Sequence, residues 1–176
     1  MLSLSEMAAL SALYAQSHRH YHTIAHVQSC LAEFEQYCES PECPVADELA
    51  IHCVEMALWY HDAVYNPYSA QNEIKSAMLY SKEHERTSPH STIVIVTSAI
   101  RATAYHTQTQ QILPIYPNDV EPNPEAAQSG KHIVQTVLDI DLSVFGKSWD
   151  EYVKNGVHIQ QEYYHTREED SGVHIA

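Results

Sequence analysis

Apolar side chains recur at three- and four-residue intervals along most of the chain, the period of helices with one buried face. A short amphipathic helix is predicted over residues 4–16. A second, over 21–38, carries Ile24, Val27, Leu31 and Phe34 on one stripe, with His22 and His26 on another side. The loop SPECP at 40–44 ends in Pro44, a residue suited to a helix start, and DELAIHCVEMALWYHDAVY runs on from it. Between Leu49 and Tyr60 this helix is apolar on most faces, so it is expected at the centre. Asn66-Pro67 marks a turn before a mixed-face helix at 71–86.

The stretch STIVIVTSAIRATAYH at 91–106 has the β-branched content of a strand. Its length, and the lack of a second strand to pair with, predict a helix instead. Pro114, Pro117, Pro122 and Pro124 make 107–127 a long loop, and helical periodicity resumes over 129–142 and 149–164. The expected fold class is all-α: one domain of six or seven helices over residues 1–165, with a charged tail at 166–176 that frays.

Composition narrows the functional classes. With 176 residues the chain suffices for one domain with a core. Its longest apolar run is short of the about 18 residues that a membrane span needs. The N-terminal stretch has no basic segment and carries Glu6, unlike a secretory signal, so a cytoplasmic location is expected. Cys30, Cys38, Cys43 and Cys53 form no C-x-x-C pair, and free buried thiols are expected. A net charge of −14 argues against nucleic-acid and anionic-membrane partners. An anionic small molecule would need a local source of positive charge, and a metal ion is one. The first glycine is Gly130, which leaves no Walker A loop, Rossmann fingerprint or G-x-S-x-G elbow in the preceding sequence.

Candidate chemistry begins with HRHYHTIAH at 18–26. If that stretch is helical, His18, His22 and His26 stack along one face, as a ligand set or as a polar patch. His61-Asp62 ends the apolar central helix, and two adjacent side chains converge on one ion only where a helix end lies beside it. Asp139 and Asp141 sit in the apolar VLDIDLSVFG. A carboxylate in such a setting is costly unless it is paired or bound to a metal. Separate helices that each contribute one or two ligands are how helical bundles build metal sites, and mixed imidazole and carboxylate donors suit Mn, Fe, Co, Ni, Zn or Mg.

In the order His26, His61-Asp62 and an Asp in LDIDL, the chain resembles the H…HD…D signature of the HD-domain metal-dependent phosphohydrolases. It is most similar there to a small bacterial group of predicted metal-dependent HD phosphohydrolases. The matching stretches are R-x-YHT-x-x-H at 19–26, ALWYHDAVY at 57–65, NE-x-x-SA at 72–77, IRAT-x-x-H at 100–106, DIDLSVFG at 139–146 and the EY pair at 162–163.

The resemblance implies an HD-domain-like bundle with one or two divalent ions held by His26, His61, Asp62 and Asp141, and Asp139 as a supporting or substitute ligand. Asp62 bridges the ions if there are two. It implies hydrolysis of a small phosphate ester, a nucleotide or related mono- or diester, by a metal-activated water. Glu73 is the candidate to orient that water or protonate the leaving oxygen, though the helix dipole also favours a carboxylate there. His22 and His106 are candidate supporting donors, substrate contacts or ligands of a second ion. Asn72 is placed with the substrate. Arg19 is either a phosphate-binding guanidinium or a surface arginine with an acidic neighbour.

His18 and His20 are expected to face solvent, and His84, His90, His132, His158, His165 and His174 have no assigned role. Family members continue for another helix or so past the EY pair, so the expectation here is a more open pocket or a homodimer. Two other functions fit the same ligands: a non-catalytic metal- and nucleotide-binding signalling module, and a di-iron oxygenase, which needs more histidine ligands.

Overall fold

In the computed structural model, residues 2–45, 47–105 and 124–171 are described, the side chains of 105, 124–127 and 165–171 excepted. The described residues form seven α-helices and no strand. They are α1 (Leu4–Tyr14), α2 (Ile24–Cys38), α3 (Glu48–Tyr60), α4 (Asn72–His84), α5 (His90–Ala102), α6 (Pro124–Asp141) and α7 (Trp149–Ser171). Short 3-10 turns follow α5 over Thr103–Tyr105 and α6 over Leu142–Gly146.

Local chemistry sets the helix ends. Ser3 and Glu6 form a reciprocal capping box on α1, the Glu6 N–H donating to Ser3 Oγ and the Ser3 N–H to the Glu6 carboxylate. Asp47 caps α3 by accepting from the Ala50 N–H at 2.8 Å, so that helix starts beyond Pro44. Pro124 opens α6 at the first helical position, where a missing N–H leaves nothing unpaired. The sequence places it in a loop. The loop expected over 107–123 and His106 lie outside the described residues. At the other end α7 runs on to Ser171, into the stretch where a frayed tail is expected.

The apolar helix α3 is central: Val54, Ala57, Leu58 and Tyr60 have no exposed surface, and α5 and α6 both pack against it. The β-branched α5 is helical because its buried face, Ile93, Val96 and Ile100, completes that core. Its Thr97 hydroxyl donates back to the Ile93 carbonyl at 2.7 Å, which satisfies the polar group within the helix. The four cysteines are free thiols, Cys30 and Cys53 buried, Cys38 and Cys43 half-buried. Among the described residues no helix is long and apolar enough to cross a membrane.

One departure bears on the site. The stretch from Ala15 to Thr23 is a chain of turns, and α2 begins only at Ile24. His18, His22 and His26 therefore do not share a helix face. His18 is half-buried rather than solvent-facing, with Nε2 3.2 Å from the Tyr65 carbonyl, and His20 is half-buried as well.

Candidate metal centre

Three helix ends meet at one point beside the core. His26 stands in the first turn of α2, His61 is the C-cap of α3 with Asp62 in the turn after it, and Asp141 is the last residue of α6. His61 keeps helical backbone angles and its N–H still bonds the Ala57 carbonyl, so the pair stands at the very end of α3, beside the cluster. His26 Nε2 lies 3.3 Å from His61 Nε2, 3.1 Å from Asp141 Oδ1 and 3.8 Å from Asp62 Oδ2. His61 Nε2 lies 2.9 Å from Asp62 Oδ2 and 3.5 Å from Asp141 Oδ1.

These spacings fit a shared cation. Metal–ligand bonds of about 2.1 Å put neighbouring donors about 3.0 Å apart at right angles and about 3.4 Å apart in a tetrahedron. The tautomer is suitable too: His61 Nδ1–H donates to the Leu58 carbonyl at 2.8 Å, which leaves the Nε2 lone pair for an ion. Cys30 Sγ lies 3.8 Å from both ring nitrogens of His26, so a thiol adjoins the same imidazole. The described residues hold two overlapping groups that can take a metal ion, His26 with His61 and Asp62, and His26 with Cys30 and Asp141.

The electrostatics are those of buried imidazole–carboxylate pairs. Burial works against an imidazolium at His26, but hydrogen bonds to Asp141 and Cys30 prevail and push its pKa up to about 10. Burial opposes the charge on His61 as well, and the Asp62 and Asp141 carboxylates hold its pKa well above the ordinary value. Burial would raise Asp62 and Asp141, yet the His61 charge, with further help from His22 at Asp62 and His26 at Asp141, keeps both below the usual carboxylate range. The His26 and His61 imidazoles thus face the Asp62 and Asp141 carboxylates in buried pairs. A divalent cation replaces two protons there with little change in charge.

Asp139 is not part of it. Two residues along α6 from Asp141 it emerges on the exposed face, where its carboxylate accepts from Gln135 Nε2 at 2.8 Å. Arg19 also departs from both expectations. It is 5% exposed, and its guanidinium donates to the carbonyls of His22 (3.0 Å), Asp62 (2.7 Å) and Ala63 (3.0 Å) and to Gln16 Oε1 (3.1 Å). Its plane lies against Tyr14 and Tyr65, 5.0 and 5.4 Å from their ring centroids.

With these donors engaged by three backbone carbonyls and Gln16, Arg19 fastens the His61-Asp62 turn to the loop before α2. Arg19→Met should lower stability by about 2–4 kcal/mol in urea unfolding, since it strands buried carbonyls. A surface arginine would shift it by less than about 0.5 kcal/mol. Asn72 is committed likewise: Oδ1 accepts from the Asn66 N–H at 3.0 Å and Nδ2 donates to the Asn66 carbonyl at 2.9 Å. It closes the turn before α4 and is 7% exposed, so it is not placed to hold substrate.

A residue without an assigned role in the sequence pins the loop from the other side. Glu162 of α7 has no exposed surface. Its Oε1 accepts from the N–H groups of His20, Tyr21 and His22 at 2.8, 2.8 and 2.9 Å. Its Oε2 accepts from His22 Nδ1 at 2.7 Å and Tyr65 Oη at 2.8 Å. Burial alone would raise its pKa, but these donors, His22 foremost, bring it down to about 2. His22 is thereby fixed with its ring stacked on Tyr65 at 4.2 Å.

Two cavities open on the cluster. One of about 280 Å3 includes His26, Cys30 and Asp141 in its wall, and Lys147, Lys154 and His158 farther out. The other, of about 290 Å3, is lined by His22, His26, Asp62, Glu73 and Asp141 and by apolar side chains of α7 and the turn before it. Glu73, in the first turn of α4, and His22 thus share a cavity with three of the four donors. No protein-family model, no curated protein and no solved structure matches this chain.

Proposed function

We propose that this protein is a metal-dependent phosphohydrolase of the HD-domain kind, acting on a small phosphate ester. The observation that carries the reading is the convergence of His26, His61, Asp62 and Asp141 from three helices at cation spacing on the wall of two cavities. Its support from sequence is the ordered set of stretches between Arg19 and Tyr163 that resembles that family.

His26, His61, Asp62 and Asp141 would hold the ion, with Cys30 beside them as a softer donor. A bound divalent ion supplies a Lewis acid for a phosphoryl oxygen and a water acidic enough to attack near neutral pH. The chain does the rest. Leu58 holds His61 in the tautomer that presents Nε2, Arg19 and Asn72 fix the turns that carry Asp62 and lead into α4, and Glu162 holds His22 at the cavity wall. Glu73 is the carboxylate of the second cavity outside the donor cluster and would take a proton from the attacking water or give one to the leaving oxygen.

The test is phosphate release from a panel of phosphate esters by protein stripped with chelator and reloaded with Mn, Fe, Co, Zn or Mg. Release that follows the metal is expected. Glu73→Gln should retain the metal and lose about 100-fold in kcat, the usual scale for a general acid or base. Saturable ester binding with no phosphate released under any of these metals would overturn hydrolysis in favour of a binding module.

A further inference from the structure

The two cavities differ in chemistry. They share Tyr21, His26, Asp141, Val144 and Asn155, so a ligand at the cluster reaches into both. The first alone is lined by Ser29, Ser143, Lys147, Lys154 and His158, all hydrogen-bond donors. In a chain of charge −14 with only nine lysines and arginines, this wall gathers two lysines, which face the two carboxylates of the same lining, Asp141 and Glu151. Lys147 is ion-paired with Glu33, and Glu151, the acid of that wall outside the donor cluster, accepts from the Ser148 hydroxyl at 2.7 Å in the cap of α7. Lys154 lies one helical turn beyond Glu151, and His158 one turn farther, on the same side of α7.

The second cavity is walled by Leu142, Val144, Phe145, Tyr152 and Ile159. Its aromatics are left open to solvent, Phe145 at 63% and Tyr152 at 43%. Phe145 and Tyr152 have ring centroids 6.0 Å apart, and Tyr152 stacks on Trp149 at 5.6 Å. Large apolar side chains exposed together at a cavity mouth mark a binding surface.

We infer that the two cavities are the two ends of one substrate site. Lys154 and His158, with Ser143, receive the phosphoryl end, and Phe145 and Tyr152 receive a flat ring on the alcohol that leaves. The substrate class is then a small phosphomonoester of a ring-bearing alcohol. The second organic arm of a diester would have to lie among the donors of the first cavity. This assignment rests on the phosphohydrolase reading for its chemistry and gives that reaction a direction. Water oxygen joins phosphorus, the ester P–O bond breaks, and its electron pair leaves with the alcohol oxygen, which gains one proton while phosphate is released. Glu73 lines the ring-side cavity and not the donor-lined one, so it stands where that proton is delivered.

Binding measured without turnover tests this. Mn-loaded protein is titrated calorimetrically with inorganic phosphate, methylphosphonate and phenylphosphonate, none of which can be hydrolysed. The parent should bind phenylphosphonate about tenfold more tightly than methylphosphonate, the scale of one aromatic stacking contact. Phe145→Ala should erase that difference and leave phosphate affinity unchanged. Lys154→Gln should weaken all three by a similar factor, with the phenyl-to-methyl ratio kept.

A parent that binds no phosphate, an unchanged ratio in Phe145→Ala, or unchanged phosphate affinity in Lys154→Gln overturns the assignment. Both residues are partly exposed, and circular dichroism of each variant verifies the fold. If the binding pattern holds but no ester is hydrolysed, the phosphohydrolase reading fails and the two-ended site stands. If esters are hydrolysed but the variants bind as the parent does, the opposite follows.

Discussion

His61→Ala and Asp141→Asn will each strip the protein of its metal, while Asp139→Asn will leave it loaded. His61 Nε2 and Asp141 Oδ1 are within 3.5 Å of each other and of His26 Nε2, so each change removes a donor from the centre of the cluster. Loss of a supporting partner of a metal ligand weakens affinity by about 10–100-fold, and loss of a ligand should exceed that. Asp62→Ala belongs with them. Asp139 lies on the exposed face of α6 and bonds Gln135, so its loss should change neither metal content nor stability by more than about 0.5 kcal/mol.

Metal content after gel filtration and competition with a chromophoric chelator read the result. Full occupancy in both His61→Ala and Asp62→Ala would falsify the site. The same experiment has a pH arm. The His26 pKa, raised from 6.5 to about 10 in the metal-free fold, makes a stabilising contribution that is complete below 6.5 and vanishes as the pH rises to about 10. An ion must displace that proton, so metal affinity should climb over the same window, as should the stabilisation that the metal confers.

The side chains that converge at the cluster were legible in the sequence because each is a charged or imidazole side chain set among apolar neighbours, a placement that core packing does not explain. The helices were legible for a related reason: the apolar period shows wherever one face is buried, and α5 reads as helix once no partner strand exists. Arg19 and Asn72 were not legible in the same way. Their partners are the carbonyls of His22, Asp62 and Ala63 and the backbone of Asn66, and a backbone group has no residue identity to search for. Whether an arginine meets a phosphate or a turn depends on which carbonyls the turns leave unpaired, and only the folded chain decides that. Asp139 and Asp141 differ by position on α6 alone, and only the family resemblance put Asp141 first.

Glu162 is the extreme of this case, and its replacement should be the most damaging to stability. Five donors from residues far away in sequence converge on one carboxylate with no exposed surface, and three of them are consecutive backbone N–H groups. Such a nest stabilises an anion without revealing itself in composition, and only the EY pair of the resemblance points to it.

Glu162→Ala leaves all five donors without this acceptor and should cost about 3–5 kcal/mol, the scale of a broken buried charged network. Glu162→Gln keeps an oxygen for the three N–H groups and should cost about 2 kcal/mol. The pH dependence separates the charge from the packing. Because the folded pKa of about 2 lies below the ordinary 4.5, the ionised carboxylate stabilises the fold fully above 4.5, and that contribution is lost as the pH falls towards 2.

Urea unfolding of the parent between pH 6 and 2.5 should therefore show a loss of stability that Glu162→Gln lacks. Parallel curves for the two proteins would mean that the carboxylate is protonated or hydrated in solution. Since the loop it holds runs directly into the turn of α2 that bears His26, the surviving Glu162→Ala protein should also bind metal more weakly. Glu162→Gln, with the backbone contacts kept, should bind it nearly as the parent does.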